Sequence, residues 1–135
     1  MGDGGVSKPV LLAILDILRK VRDAAYAPYS KFNVGAAAIG GSGHVYYGCN
    51  VENASFGLSV CAERVAIFKA VSEGEREIRA VVILAGQSGI SSPCGACLQV
   101  ISEFALKRGP LVVLSGSLDG DYEVHPLKDY IPKPF

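Results

Sequence analysis

The chain has 135 residues, enough for one domain that buries a core without disulfide staples. Lys plus Arg and Asp plus Glu balance at 13 each, so no global field draws the protein to nucleic acid or to an acidic membrane. Half of the residues are hydrophobic and the mean hydropathy is +0.32, high for a small monomer, so part of the apolar surface is expected in the interfaces of a homo-oligomer.

The opening "MGDGGVSKPV" has no charged start, no long apolar stretch and no cleavage site, and Val6 stands where a myristoylation pattern wants Ser or Thr. The longest apolar run, "VLLAIL", is too short to span a bilayer, so a cytoplasmic protein with no membrane partner is expected. Four cysteines in that compartment favour a metal or catalytic thiols over disulfides.

From there Val10, Leu11, Ile14, Leu15, Leu18, Val21 and Ala25 recur at helical spacing behind Ser7 and Pro9, and "APYS" ends that helix. "FNVGAAAIG" and "HVYYGCNV" read as two strands of a hairpin around the turn "GGSG". A second helix is expected from about Cys61, stopping at Gly74. "IRAVVILAG", an unbroken apolar run, reads as a buried central strand and "QSGISSP" as a loop. A third helix is predicted with Ser92 as N-cap and Pro93 in its first turn, running to about Lys107 and closed by Gly109. "LVVLS" follows as a buried strand and "YEVH" as an edge strand. Two strand–helix–strand units predict right-handed crossovers and an α/β fold, a mixed sheet sandwiched by helices, with residues 1–135 as a single domain.

The chemistry concentrates in "CAER" and "PCGAC". Alone, Cys94 and Cys97 fit a redox pair, a disulfide or half of a metal site, since two thiols supply at most half of a tetrahedral zinc. Both motifs fall at helix starts, where the helix dipole favours thiolate, the form that binds metal. Glu63 lies about 200° round a regular helix from Cys61, so both serve one centre only if the metal sits off the helix end with Cys61 at the cap. Cys61, Cys94 and Cys97 then give three protein ligands and an open fourth position, the arrangement of a catalytic zinc. Cys49 is the remaining sulfur available to close it, although its place mid-strand among apolar residues fits an ordinary buried cysteine.

Cys-x-Glu followed by Pro-Cys-x-x-Cys is the three-cysteine form of the zinc-deaminase signature. With "YAPYSKFNVGAA", "GCNVENASFG", "CAERVAIFKAVSEG", "PCGACLQVISE" and the terminal "IPKPF", the sequence resembles the homotetrameric cytidine deaminases over nearly its whole length. The resemblance implies a three-layer α/β/α sandwich around a mixed five-stranded sheet. It also implies one Zn²⁺ per chain and hydrolytic deamination of cytidine and deoxycytidine in pyrimidine salvage. Cys61, Cys94 and Cys97 are then the zinc ligands, Glu63 the proton shuttle, and Arg64 the cation that offsets the thiolate charge. Asn50 and Glu52 would hold the ribose, with Phe32 beside the nucleoside. Ala54, Phe56 and Phe135 would reach the site of a neighbouring subunit in a tetramer with shared active sites. Leu98 departs from the family, where a basic residue is frequent, and puts one polar contact near the metal or interface in doubt. His44 and His125, far from the signature, carry no role.

A nucleoside-antibiotic deaminase of the blasticidin type shares the core signature, but "NVENAS" resembles the ribose-binding block. Nucleic-acid editing deaminases resemble a His-x-Glu form and want basic surface, which this neutral chain lacks. A non-catalytic zinc module would need a fourth protein ligand.

Overall fold

A computed structural model describes residues 6–85, 92–107, 111–115 and 121–135, with the backbone alone described for 111–115. Helix α1 (Lys8–Asp23) starts where the sequence places it: the Ser7 hydroxyl caps it by accepting the Val10 N–H at 3.4 Å, and Pro9 lies in its first turn. Strands β1 (Val34–Gly40) and β2 (Val45–Cys49) form the expected hairpin, with Phe32, Asn33 and Asn50 left outside the ladder. A short 3₁₀ turn (Phe56–Leu58) precedes α2 (Ala62–Ser72). Gly74, at φ +97°, ends α2 as a left-handed residue that a side chain would strain.

Strand β3 (Ile78–Ala85), helix α3 (Gly95–Glu103) and strands β4 (Leu111–Ser115) and β5 (Tyr122–Pro126) complete the chain. The sheet runs β2-β1-β3-β4-β5, with β3 and β4 parallel and every other pair antiparallel. This is the mixed sheet expected, with "YEVH" at its edge.

Alternation along the central strands feeds two cores. Ala36 and Ala38 of β1 and Val81 and Ile83 of β3 pack with Ala66 and Ile67 of α2 and Ile101 of α3. Their neighbours Ala37, Ile39, Val82 and Leu84 face the other way, against Leu11, Ile14, Leu15 and Leu18 of α1. The sheet is therefore covered on both faces, α1 on one and α2 with α3 on the other, which explains the continuous apolar run of β3. The result is a three-layer α/β/α sandwich.

The third helix is shorter than the sequence predicts. Cys94, not Ser92, is its N-cap, with extended backbone at φ −73°, ψ 167°, and Phe104 ends it. The far end yields to the sheet: the Ile78 N–H donates to the Phe104 carbonyl at 2.7 Å and the Leu106 N–H to that of Ile78 at 3.2 Å, which pulls the chain off the helix before Lys107. Gly109 and most of "QSGISSP" lie outside the described residues.

Gly48 sets how closely α2 approaches β2. A Cβ there would stand 2.5 Å from the Ala66 nitrogen and 3.0 Å from the Ala62 carbonyl oxygen, both backbone atoms of α2. Gly48→Ala should therefore push α2 off the sheet and cost about 1–3 kcal/mol of stability, read as a lower denaturation midpoint. An unchanged midpoint would mean that α2 does not depend on this approach.

Candidate active site

Helices α2 and α3 lie on one face of the sheet and bring their N-termini together. Cys61 is the N-cap of α2, Cys94 the N-cap of α3, and Cys97 lies in the first turn of α3. The Cys61 and Cys94 sulfurs are 3.9 Å apart, those of Cys94 and Cys97 3.5 Å, and all three lie within 4.8 Å of one another. A tetrahedral zinc with Zn–S bonds of about 2.3 Å needs S···S separations of about 3.8 Å, so the three sulfurs fit that ion. Neither N-cap cysteine uses its side chain to cap its own helix, which leaves both sulfurs for a metal. Cys49 is not in this cluster. It follows Val45 and Tyr47, which pack on the α1 face of the sheet, whereas Tyr46 joins the core on the α2 face.

The sulfurs share their protons unevenly. A hydrogen bond with Cys97, helped by Arg64 and Cys94, lowers the Cys61 thiol to about 5. Cys97 is pushed up by that same pairing and by its burial. Of these two sulfurs, Cys61 is the one that favours the thiolate. The Arg64 guanidinium donates to its sulfur at 3.5 Å and is itself held more firmly charged by that contact. The Arg64 Nε is buried without a partner of its own.

Glu63 occupies the second position of α2 and is 6% exposed, one of few buried charged side chains among the described residues. Burial holds its carboxyl up at about 6. It opens on a cleft of about 290 Å³ shared with Cys61, Cys94, Phe32, Asn50 and Glu52. Two further polar residues line the cleft: Ser30, to which the sequence reading gives no role, and Ser92, which it reads only as a helix cap; each sits within three positions of a residue it did single out.

Asn50 is buried and already partly committed. Its Oδ1 accepts the Val34 N–H at 2.8 Å and its Nδ2 donates to the Phe32 carbonyl at 2.9 Å, so it holds the start of β1 while one N–H and one lone pair stay free. Glu52 is tied to the turn at Tyr29 and Ser30. Ala54, Phe56 and Phe135 do not reach this cleft in their own chain. Ala54 and Phe56 lie on an exposed loop, with the Phe56 ring edge-on to Tyr29 beside a second hollow on the other side of Glu52. Phe135 is not a loose end: its N–H donates to Gln99 Oε1 at 2.9 Å and its carbonyl accepts from Gln99 Nε2 at 3.4 Å, while the residue is fully exposed. Leu98 is buried in the core, so this position makes an apolar contact.

Residues 11–113 match the family model described as the cytidine and deoxycytidylate deaminase zinc-binding region. The chain belongs to the cytidine deaminase family. It is 46% identical over 117 residues to a cytidine deaminase of Sporosarcina psychrophila, covering 87% of this chain and 85% of the relative. The cytidine deaminase of Burkholderia pseudomallei superposes with a TM-score of 0.82 at 43% identity, over 91% of this chain and 97% of that one. That of Mycobacterium tuberculosis gives 0.73 at 35% identity, over 89% and 95%. As a member of this family the chain is a zinc-dependent enzyme, and the three sulfurs are where zinc can bind. Among the described residues no helix is long and apolar enough to cross a membrane.

Proposed function

We propose that this protein, as one domain spanning residues 1–135, hydrolyses cytidine and deoxycytidine to uridine and deoxyuridine with release of ammonia. The observation that carries this is a buried carboxyl, Glu63, in the same cleft as Cys61 and Cys94, two sulfurs of a three-sulfur cluster. The relatives are named cytidine deaminases, which favours this substrate over an antibiotic nucleoside.

Cys61, Cys94 and Cys97 would hold one zinc ion per chain, which supplies an activated water for attack at C4 of the base. Three thiolates leave such a centre with excess negative charge, and the two helix N-termini and Arg64 oppose it. Glu63 takes a proton from the attacking water and delivers it to ring N3, then takes the second proton from the new C4 hydroxyl and passes it to the departing amine, so that ammonia leaves as the C4 carbonyl forms. Asn50, with its uncommitted N–H, and Glu52 hold the sugar, and Phe32 packs beside the nucleoside. Purified zinc-loaded protein should convert cytidine and deoxycytidine, with one ammonia per uridine formed, and leave cytosine and CMP largely untouched. Turnover of none of the four would overturn the reading.

The enzyme is further read as a cytoplasmic homotetramer with shared sites. Phe56, Leu58, Tyr26 and Val51 are large apolar side chains left exposed, and Gln99 grips the backbone of Phe135 while leaving its ring outside the chain. A ring presented in this way suits a neighbouring subunit's base, and such stacking contributes about 1–3 kcal/mol. Deleting Phe135 should lower kcat/KM about ten- to a hundredfold with zinc content unchanged. Mixing deleted subunits with Glu63→Gln subunits should restore part of the activity, since a hybrid can pair an intact ring with an intact carboxyl. Unchanged kinetics of the deletion would return the ring to being surface.

A further inference from the structure

The surroundings of Glu52 are more elaborate than a carboxylate on a cleft wall requires. Glu52 lies just beyond β2, yet every protein donor described on its carboxylate comes from a turn some twenty residues earlier in the chain. The Tyr29 and Ser30 N–H groups each donate to Oε1 at 3.1 Å, and the Ser30 hydroxyl donates to Oε2. The same Ser30 oxygen accepts the Phe32 N–H at 3.0 Å, so its orientation is fixed from both sides. Between them Lys31 adopts φ +61°, a left-handed conformation that residues with a side chain take up only when their surroundings impose it. The Lys31 N–H donates to the Ala27 carbonyl at 3.0 Å and closes the turn, whose backbone and hydroxyl donors wrap this carboxylate.

An ionised carboxylate offers about four acceptor positions, and three here are taken, which leaves about one for a ligand. Ser30 and Glu52 both line the cleft that holds Glu63. The carboxyl of Glu52 is held below its ordinary range, first by the Ser30 hydroxyl, so it stays an acceptor only. Its free position then suits one donor of a neutral ligand, such as a hydroxyl.

We propose that Ser30 is a positioning residue: its hydroxyl aims the last free acceptor of Glu52 at the 2′ or 3′ sugar hydroxyl and so sets how strongly the enzyme depends on the sugar. This rests on the reading that Glu52 holds the sugar. Ser30 does not itself need to touch the nucleoside. It is exposed, so trimming it removes little packing.

Steady-state kinetics on cytidine and on 2′,3′-dideoxycytidine, which keeps the 5′ hydroxyl but lacks those at 2′ and 3′, test the proposal. Ser30→Ala should raise KM for cytidine about tenfold, as loss of a bond to a charged group does, while kcat and dideoxycytidine turnover stay within about twofold. In a Glu52→Ala background the same change should add nothing further. Ser30→Cys, close in size with only a weak donor, should show the same selective loss and serves if the alanine variant is unstable. Equal losses on both substrates, or a Ser30 effect that persists without Glu52, would overturn the positioning role while leaving Glu52 as the sugar contact. A Glu52→Ala enzyme with the wild-type ratio of cytidine to dideoxycytidine turnover would instead remove the Glu52 reading and the proposal with it.

Discussion

Glu63→Gln is expected to keep its fold and its zinc and to lose activity on cytidine by several orders of magnitude. The substitution is nearly isosteric, and the site is buried at 6% exposure, so the packing of α2 against the sheet has no reason to change. What changes is the chemistry. An amide neither takes a proton from water nor returns one to nitrogen, and proton transfer alone contributes about 10²–10⁴ in rate. In the proposed mechanism the same carboxyl acts on the water, on N3 and on the leaving amine, so its loss touches each step. Turnover and bound zinc should be measured on the same preparation. A variant that kept more than about a few per cent of wild-type turnover, far above what losing a proton shuttle allows, would take Glu63 out of that role.

Cys94→Ser is expected to be as damaging by a different route. Cys94 caps α3 and lies 3.9 Å from the cap of α2 and 3.5 Å from Cys97, so a zinc there ties two helices together at their starts. Removing one of three thiolates should abolish stoichiometric zinc, and with it both activity and the stability that metal binding lends the folded state. Zinc per chain should fall toward zero and the thermal midpoint should drop. Cys49→Ala is the contrast: it removes a sulfur from the other face of the sheet, so zinc and activity should persist with a small packing cost. Unchanged zinc in the first variant, or lost zinc in the second, would redraw the ligand set.

Much of this architecture is legible in the sequence because it is local. Ser7 and Pro9 announce α1, Gly74 ends α2, and the unbroken run from Ile78 marks a strand covered on both faces. The cluster of Cys61, Cys94 and Cys97 is legible through spacing and helix starts, and the mid-strand place of Cys49 among apolar residues already sets it apart. The limits of α3 are not, because they are decided at long range: Ile78 captures Phe104 and Leu106 in backbone hydrogen bonds that local propensity does not register. The grip of Ser30 on Glu52 and that of Gln99 on Phe135 are hidden for the same reason. Each joins residues 22 to 36 positions apart through a side chain whose local context reads as ordinary surface. Asn50 shows the mixed case. It is placed at the site by resemblance, but only the fold reveals that half of its amide holds β1 in place.

The account turns on a metal centre with three cysteine sulfurs and a fourth position left to the reaction, since a fourth protein ligand would make the same cluster a structural knuckle. X-ray absorption at the zinc edge of the purified, metal-loaded protein tests this most directly. Three sulfur scatterers at about 2.3 Å and one oxygen or nitrogen at about 2.0 Å are predicted. Four sulfurs, with no lighter neighbour, would contradict it.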